Sequence, residues 1–500
     1  MVPAQALLAL SRGTSRRRPS SPVEPRIFFC HPADGDRQNR GLMMNKMDFP
    51  EARSFALNPE AAPDSPEAMA PYIDYGNRLY STDRYVSRDW ARAEWENMWT
   101  RIWTLAGLVK DIPEVGDWFK YDLGPESFIV SRYGEAPGDI GAYYNVCHHR
   151  GNRLVMSEFG HSGSFKCAFH SWEWNLDGSL KNIQDRETFR PEIVADDPPL
   201  TPVRCEIWDG FIFLNMDMDA EPLMDFLGPV VEHLEPYRFA DMHIVKDLET
   251  PWPCNWKIGH DAFIEVYHVH AVHPEILPFF NDREVQWDVY PNGMSRQLLK
   301  FGEISPKVGD HESLNEGLAY LLSEVDVTPE EFKGCPNDAR VAIQNAKRAW
   351  AEKRGVDYSA FTDNQLTDDW NYSIFPNVTF NAHPEGLLVQ RFRPHRSDPE
   401  RMTYDLMVLI RPVDDPNYKV PAYMGVEDGT DLSGNSRPER RHIEYGSEGL
   451  GYVINQDATM MGFVHQGVQS RGYRGARYSD QEQQLRHWHN ELERYVRGEK

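Results

Sequence analysis

Between Asn255 and His273 the chain reads Asn-Trp-Lys-Ile-Gly-His-Asp-Ala-Phe-Ile-Glu-Val-Tyr-His-Val-His-Ala-Val-His, and this stretch constrains the fold more than any other. Within thirteen residues it places Asp261, Glu265, His268, His270 and His273 among apolar residues that would otherwise pack a core. Imidazole and carboxylate together suit a first-row divalent metal, and two histidines with one carboxylate leave open coordination positions on Fe(II). The plain alternative is a helix whose histidines are hydrogen-bonded or exposed, because short metal motifs do have false positives.

Helical geometry orders only part of the cluster. At 3.6 residues per turn Asp261, Glu265 and His268 share one face, whereas His273 lies five positions beyond His268 and is rotated about 140° from it. Both can reach one ion only if the helix deforms or ends there. Pro274 makes an ending reasonable, since the residue before a proline is pushed out of the α region. Spacing alone also admits His270 with His273.

Five hundred residues suffice for two or three domains. The formal charge of −24 opposes nucleic acid and anionic membrane as partners. The sequence contains no run of eighteen apolar residues that could span a bilayer. The six cysteines are too sparse for a secreted disulfide scaffold, so a reducing, cytoplasmic setting is the expectation.

Residues 1–46 are basic and Ser/Pro-rich without periodicity, and are expected to be a disordered leader, with Met43, Met44 or Met47 as the true start. Residues 47–103 form a helical segment, read as helical from about Pro71, in which Ser87–Trp99 spaces Trp and Met for one buried face. Residues 104–215 read as short strands broken by turns such as Trp208-Asp209-Gly210, a small all-β module. Residues 216–500 form the rest. There, 337–354 is a helix ending at Gly355, while Ser373–Phe380, Leu387–Pro394 and Met402–Pro412 are antiparallel strands. A capping box at Ser479–Glu482 opens a last helix with Leu485, Trp488, Leu492 and Val496 on one face.

The all-β module carries a second constellation, Cys147-His-His149-Arg-Gly and then Cys167-Ala-Phe-His170. Cysteine and histidine pairs in hairpin loops can hold structural zinc, or a [2Fe-2S] cluster in which two histidines replace two cysteines on one iron, the Rieske arrangement. Each loop here supplies one cysteine and one histidine. That alternation suits two irons, with both thiolates on one and both imidazoles on the other.

Taken in order, Cys-x-His-Arg-Gly, Cys-x-x-His and the downstream Asn-Trp-Lys…Glu-x-Tyr-His-x4-His resemble the α subunit of Rieske non-haem iron ring-hydroxylating oxygenases, over roughly residues 70–490. The resemblance implies an α+β chain, with a Rieske [2Fe-2S] domain and a helix-grip (START-like) catalytic domain of antiparallel sheet and helices. It implies Cys147, His149, Cys167 and His170 as cluster ligands and His268 and His273 as ligands of a mononuclear Fe(II). It further implies Asp457, in Asn455-Gln-Asp-Ala-Thr, as the third iron ligand, and Glu265 as the acid bridging the two centres. Two departures stand out: Ser171 follows His170 where the family usually has Gly, and Ala262 follows Asp261 where it often has Asn.

The implied activity is a terminal oxygenase that inserts oxygen from O2 into an organic, aromatic or polycyclic substrate. The electrons come from NAD(P)H through a separate reductase, with or without a ferredoxin. A head-to-tail homotrimer follows, with or without a small β subunit, and Glu265→Gln is expected to leave both metal centres filled while blocking electron delivery. Phe279, Phe280 and Trp287 point to the apolar character of the substrate. The alternatives are a Rieske electron-transfer or ligand-binding protein without oxygenase chemistry, and a zinc-stabilised binding module.

Overall fold

The computed structural model describes residues 61–62, 65–415 and 418–500. The leader at 1–46, with the choice of start among Met43, Met44 and Met47, lies outside the described residues, as does the beginning of the segment at 47–103.

The all-β module contains strands β1 (Thr104–Leu108), β2 (Asp117–Leu123), β3 (Glu126–Arg132), β4 (Ile140–Tyr144), β5 (Phe159–His161), β6 (Phe165–Lys166), β7 (Glu173–Trp174), β8 (Leu180–Asn182), β9 (Pro202–Trp208) and β10 (Phe211–Asn215). One antiparallel sheet runs β1-β10-β9-β4-β3-β2-β5, and β6-β7-β8 form a separate small sheet. Asp209 and Gly210 both take positive φ, +43° and +84°, so the β9–β10 hairpin closes in two residues with Trp208 opposite Phe211. An Asp-Gly pair tolerates that left-handed turn, whose twist matches the strands it joins.

Ahead of this module, helix α1 (Arg88–Glu94) is capped by Ser87, whose hydroxyl accepts the Trp90 N–H. The next turn, Trp95–Trp99, widens to π geometry and turns Met98 and Trp99 into the core, with Trp99 edge-on to Trp256 at 4.9 Å. The expected helix does not extend back to Pro71. Gly76 takes a φ of +70°, which no α-helix contains, and the chain runs on until Tyr80 pairs with the backbone of Ala476.

The larger part is built on β11 (His243–Trp252), β12 (Gln286–Val289), β13 (Ser295–Leu299), β14 (Asp369–Ile374), β15 (Val378–His383), β16 (Gly386–Pro394), β17 (Met402–Ile410) and β18 (Arg441–His442). They form one curled sheet in the order β12-β13-β14-β15-β16-β17-β11-β18, antiparallel except for the short β11–β18 pair. The single strand expected from Ser373 to Phe380 is two. It breaks at Phe375-Pro376-Asn377, where proline has no N–H for a ladder, and Ile374 faces Val378 across the turn.

Five further helices matter below: α2 (Trp256–Asp261), α3 (Val269–Val272), α4 (Ala339–Lys353), α5 (Tyr452–Val468) and α6 (Gln483–Val496). Helix α4 gives way to Gly355 at a φ of +66°, and of the Ser479–Glu482 capping box the Glu482 half forms, its carboxylate accepting the Ser479 N–H at 2.7 Å. On α6, Leu485, Trp488 and Leu492 are buried, and Trp488 packs on Trp256 with ring centroids 5.5 Å apart. Burying each such side chain stabilises by about 1.5–3 kcal/mol, which fixes α6 beneath the histidine-bearing stretch. The molecule is thus a mixed α+β fold. Among the described residues no helix is long and apolar enough to cross a membrane.

Candidate metal centres

The stretch from Asn255 to His273 is not one helix. Asn255 caps α2 by accepting the Lys257 N–H at 3.0 Å, α2 ends at Asp261, and helical geometry resumes only at α3. Glu265 supplies the physical reason. Its Oε2 accepts the backbone N–H groups of both Tyr267 and His268, so its side chain takes the donors of the restarted turn, as a capping carboxylate does. The common face of Asp261, Glu265 and His268 therefore does not exist. Asp261 turns away to accept the Tyr85 hydroxyl at 2.7 Å, with His489 Nε2 at 3.1 Å.

Breaking the helix brings His268 and His273 together despite their five-residue spacing. His268 sits at the start of α3 and His273 just past its end, with φ −126° and ψ 49° ahead of Pro274. Their rings lie 5.2 Å apart. Asp457, from the second turn of α5, completes the group: its Oδ1 is 2.8 Å from His273 Nε2 and 3.4 Å from His268 Nε2. His270 is exposed beside the Tyr267 ring, outside this group.

Both imidazoles turn Nε2 inward while the outer nitrogen is held. His268 Nδ1 lies 2.5 Å from Glu265 Oε1, and His273 Nδ1 lies 2.8 Å from Gln456 Oε1. Histidine ligands are characteristically oriented by such outer partners, which also select the tautomer. Gln456 was not singled out from the sequence, and its place directly before Asp457 is the only signal there. Burial would depress the pKa of His268, but the carboxylates of Glu265 and Asp457 outweigh it and raise the value to about 9. The group therefore calls for positive charge. Donors at right angles, each about 2.1 Å from an ion, lie about 3 Å apart; the 2.8 and 3.4 Å from Asp457 to the two imidazoles bracket that spacing, so the residues fit a divalent ion with positions left open.

The second constellation joins two loops of one shape. Cys147 donates its N–H to Asn152 O and accepts from Gly151 N; Cys167 donates to Trp172 O and accepts from Ser171 N. The closing residue is left-handed in both, with φ of +78° at Gly151 and +59° at Ser171. Ser171 thus adopts the glycine conformation without being glycine. The rings of His149 and His170 are 4.5 Å apart, and His149 stacks on Trp172.

Burial pushes the Cys147 thiol up, opposed by the His149 amide. At Cys167 burial acts the same way, but the amides of Phe169 and His170 prevail and lower the value. Amides aimed at sulfur stabilise thiolate, and both cysteines are free of disulfides. His149 Nδ1 is buried with no hydrogen-bond partner. An orphaned ring nitrogen beside two cysteine sulfurs that backbone amides face, one of them shifted toward the thiolate, fits a Cys2His2 cluster site.

A cavity of about 210 Å³ opens on the histidine-carboxylate group, between the α2–α3 stretch, α5 and the inner face of the curled sheet. Phe279, Phe280 and Phe301 line it; Trp287 does not, and lies instead near Tyr72. Ala262 also faces it, so the missing Asn leaves space there.

Comparison with known proteins agrees with this geometry. Residues 102–195 match the Rieske [2Fe-2S] domain, and residues 239–498 match the family described as ring hydroxylating alpha subunit (catalytic domain). The carnitine monooxygenase oxygenase subunit of Escherichia coli K12 is 28% identical over 341 residues, 64% of this chain and 81% of that one. The biphenyl 2,3-dioxygenase subunit alpha of Rhodococcus jostii is 30% identical over 181 residues, 35% of this chain and 39% of that one. Among solved structures, a quaternary ammonium Rieske monooxygenase aligns with TM-score 0.59 at 17% identity, covering 86% of this chain and 100% of that one. Naphthalene 1,2-dioxygenase with indole bound aligns with TM-score 0.57 at 19% identity, covering 85% and 95%.

Proposed function

Because this chain belongs to the family of ring-hydroxylating oxygenase alpha subunits, we propose that Cys147, His149, Cys167 and His170 hold its Rieske cluster and that His268, His273 and Asp457 hold its mononuclear Fe(II). The protein is a Rieske-type oxygenase that uses O2 on an organic substrate. When bound, the cluster supplies single electrons and the iron supplies O2 activation.

The chain's own residues do the positioning. Glu265 and Gln456 fix the two imidazoles through their outer nitrogens, so that both Nε2 atoms face Asp457 without reorganisation. Phe279, Phe280 and Phe301 exclude water from the wall of the cavity and suit an apolar, aromatic or polycyclic body. The observation that carries the reading is the convergence of two imidazoles and one carboxylate on the wall of that cavity. It also disfavours an electron-transfer protein without chemistry, which has no use for such a triad.

Residues 104–215 form the cluster domain in this reading and residues 216–500 a helix-grip catalytic domain, with α6 packed against β12 and β13 in support. Glu265 is also read as the bridge to a neighbouring chain's His170 in a head-to-tail homotrimer, with or without a β subunit. His170 is only half-buried, and its Nε2 meets Arg150 at 2.7 Å on an exposed surface that a neighbour could cover. NAD(P)H through a separate reductase, with or without a ferredoxin, is the electron source. Anaerobic purification followed by EPR and metal analysis tests the assignment: a Rieske signal with additional mononuclear iron is expected, and zinc in place of iron would end it.

A further inference from the structure

The floor of the cavity is unexpectedly polar. Strand alternation turns Gln297, Asp369, Asn371, Asn381, His383 and Gln390 toward it from four adjacent strands, opposite the aromatic wall. Three hydrogen bonds run across this floor in one direction. The Tyr404 hydroxyl donates to Gln390 Oε1 at 2.6 Å, Gln390 Nε2 to Asn381 Oδ1 at 2.9 Å, and Asn381 Nδ2 to Asp369 Oδ2 at 2.7 Å. Each amide is fixed by its neighbour, and the relay ends on a carboxylate.

The other oxygen of that carboxylate is not satisfied. Asp369 Oδ1 has no hydrogen-bond partner, and the nearest basic atom, His383 Nε2, is 3.7 Å away, too far for a hydrogen bond. His383 brings no charge, since burial and the Lys347 ammonium depress its pKa well below the usual value. Lys347 is itself engaged, 2.8 Å from Glu385 and 3.1 Å from the Tyr423 hydroxyl. A buried carboxylate with an unused acceptor costs stability. Burial, helped by the Asp368 carboxylate and opposed by the Asn381 hydrogen bond, lifts the Asp369 pKa to about 7, in keeping with that cost. A polar group held unsatisfied on a cavity wall is the arrangement by which a site rejects ligands lacking the complementary group.

We propose that Asp369 is the polar anchor for the substrate: the cavity takes molecules with an apolar ring body and an N–H or O–H donor, which Asp369 accepts, fixing the edge of the ring presented to the histidine-carboxylate group. The inference rests on the cavity being the substrate site. It makes Asp369 a specificity-determining residue whose carboxylate is set by the relay from Tyr404.

Indole and benzofuran serve as probes, since they have nearly one shape and only indole carries a donor. Calorimetric titration of the anaerobic holoenzyme at pH 8.5, where Asp369 is ionised, is expected to show indole binding at least about tenfold tighter than benzofuran. In Asp369→Leu the preference falls below about twofold while benzofuran affinity stays the same or rises. In Asp369→Asn, which keeps shape and loses charge, it falls to an intermediate value. Unchanged Rieske absorbance and iron content report that the variants are folded. Equal affinities in the wild type, failure of indole to bind, or a preference retained in Asp369→Leu would each overturn the proposal. Supplying reductant and O2 separates it from the functional reading: bound probes that are never oxidised would refute oxygenase chemistry here while leaving the anchor standing.

Discussion

Glu265→Gln separates two roles for one carboxylate. Both oxygens of Glu265 act as acceptors within its own chain, Oε2 for the backbone N–H groups of Tyr267 and His268, and Oε1 for His268 Nδ1 at 2.5 Å. Glutamine has one acceptor and one donor. If its carbonyl keeps the backbone bonds, its NH2 faces Nδ1 and forces His268 into the tautomer that protonates Nε2, the nitrogen turned toward Asp457. If it flips, the restarted turn loses its cap, worth about 1 kcal/mol. Either way the donor group is impaired, and loss of such an outer partner typically weakens metal binding about 10–100-fold, or about 1.4–2.7 kcal/mol. The sequence-based expectation that this variant keeps both centres filled is therefore revised. Anaerobic Fe(II) titration of the iron-depleted enzyme against a competing chelator measures the affinity, with the Rieske spectrum as an internal control. Affinity within twofold of wild type would refute the reasoning and leave Glu265 only a role between chains.

Cys147→Ser or Cys167→Ser is expected to abolish the Rieske EPR signal while mononuclear iron remains. His268→Ala, His273→Ala and Asp457→Ala should each lose mononuclear iron with the Rieske spectrum intact, whereas His270→Ala, altering an exposed ring, should change iron content little. Ser171→Gly relieves a left-handed serine at φ +59°, a conformation costing about 1 kcal/mol for a residue with a Cβ, and should slow cluster loss on warming, followed by its visible absorbance. Asp369, raised to about 7 by burial, binds a proton in the folded state that the unfolded chain releases near pH 4, so its contribution to stability falls as pH rises through that window. Asp369→Asn should therefore raise Tm at pH 8 relative to wild type and have less effect at pH 4, measured by calorimetry.

What the sequence revealed depended on whether the signal was local. The β9–β10 hairpin, the α4 terminus at Gly355 and the Glu482 half of the capping box were legible because each is decided by a few adjacent residues with particular backbone needs. The break between α2 and α3 was not, because Glu265 reads from sequence as a favourable helix-face residue. Only its hydrogen bonds to the backbone beyond it show that it opens a new turn. The same holds for Asp261, whose partners Tyr85 and His489 are distant in sequence. Gln456 was invisible because its partner His273 is distant in sequence, and the Asp369 relay because its residues meet only through strand register and the face of the sheet that meets the cavity, neither of which a run of residue types specifies.

A second cluster shows why the histidine-carboxylate group is more than a coincidence of composition. Glu158, Glu249 and His442 also bring three donor atoms close together, where the cluster-bearing module meets the β11–β18 edge. There, however, every donor is engaged. His442 places Nε2 3.2 Å from Glu158 and Nδ1 3.2 Å from Glu249, while Arg440 faces Glu158 and Arg393 faces Glu249. Each carboxylate there already has an arginine as well as the imidazole beside it, so the cluster is partnered without an ion. Around His268 the neighbours that favour its charge are Glu265, Asp457 and Glu482, all carboxylates, and two Nε2 atoms converge on one oxygen. Even with His268 protonated, as its raised pKa implies, three carboxylates face one imidazolium, an excess of negative charge that is costly to keep around a largely buried group, whereas the Glu158, Glu249 and His442 cluster has its arginines at hand. Uncompensated charge, rather than proximity of donors, is what distinguishes the metal centre from the second cluster.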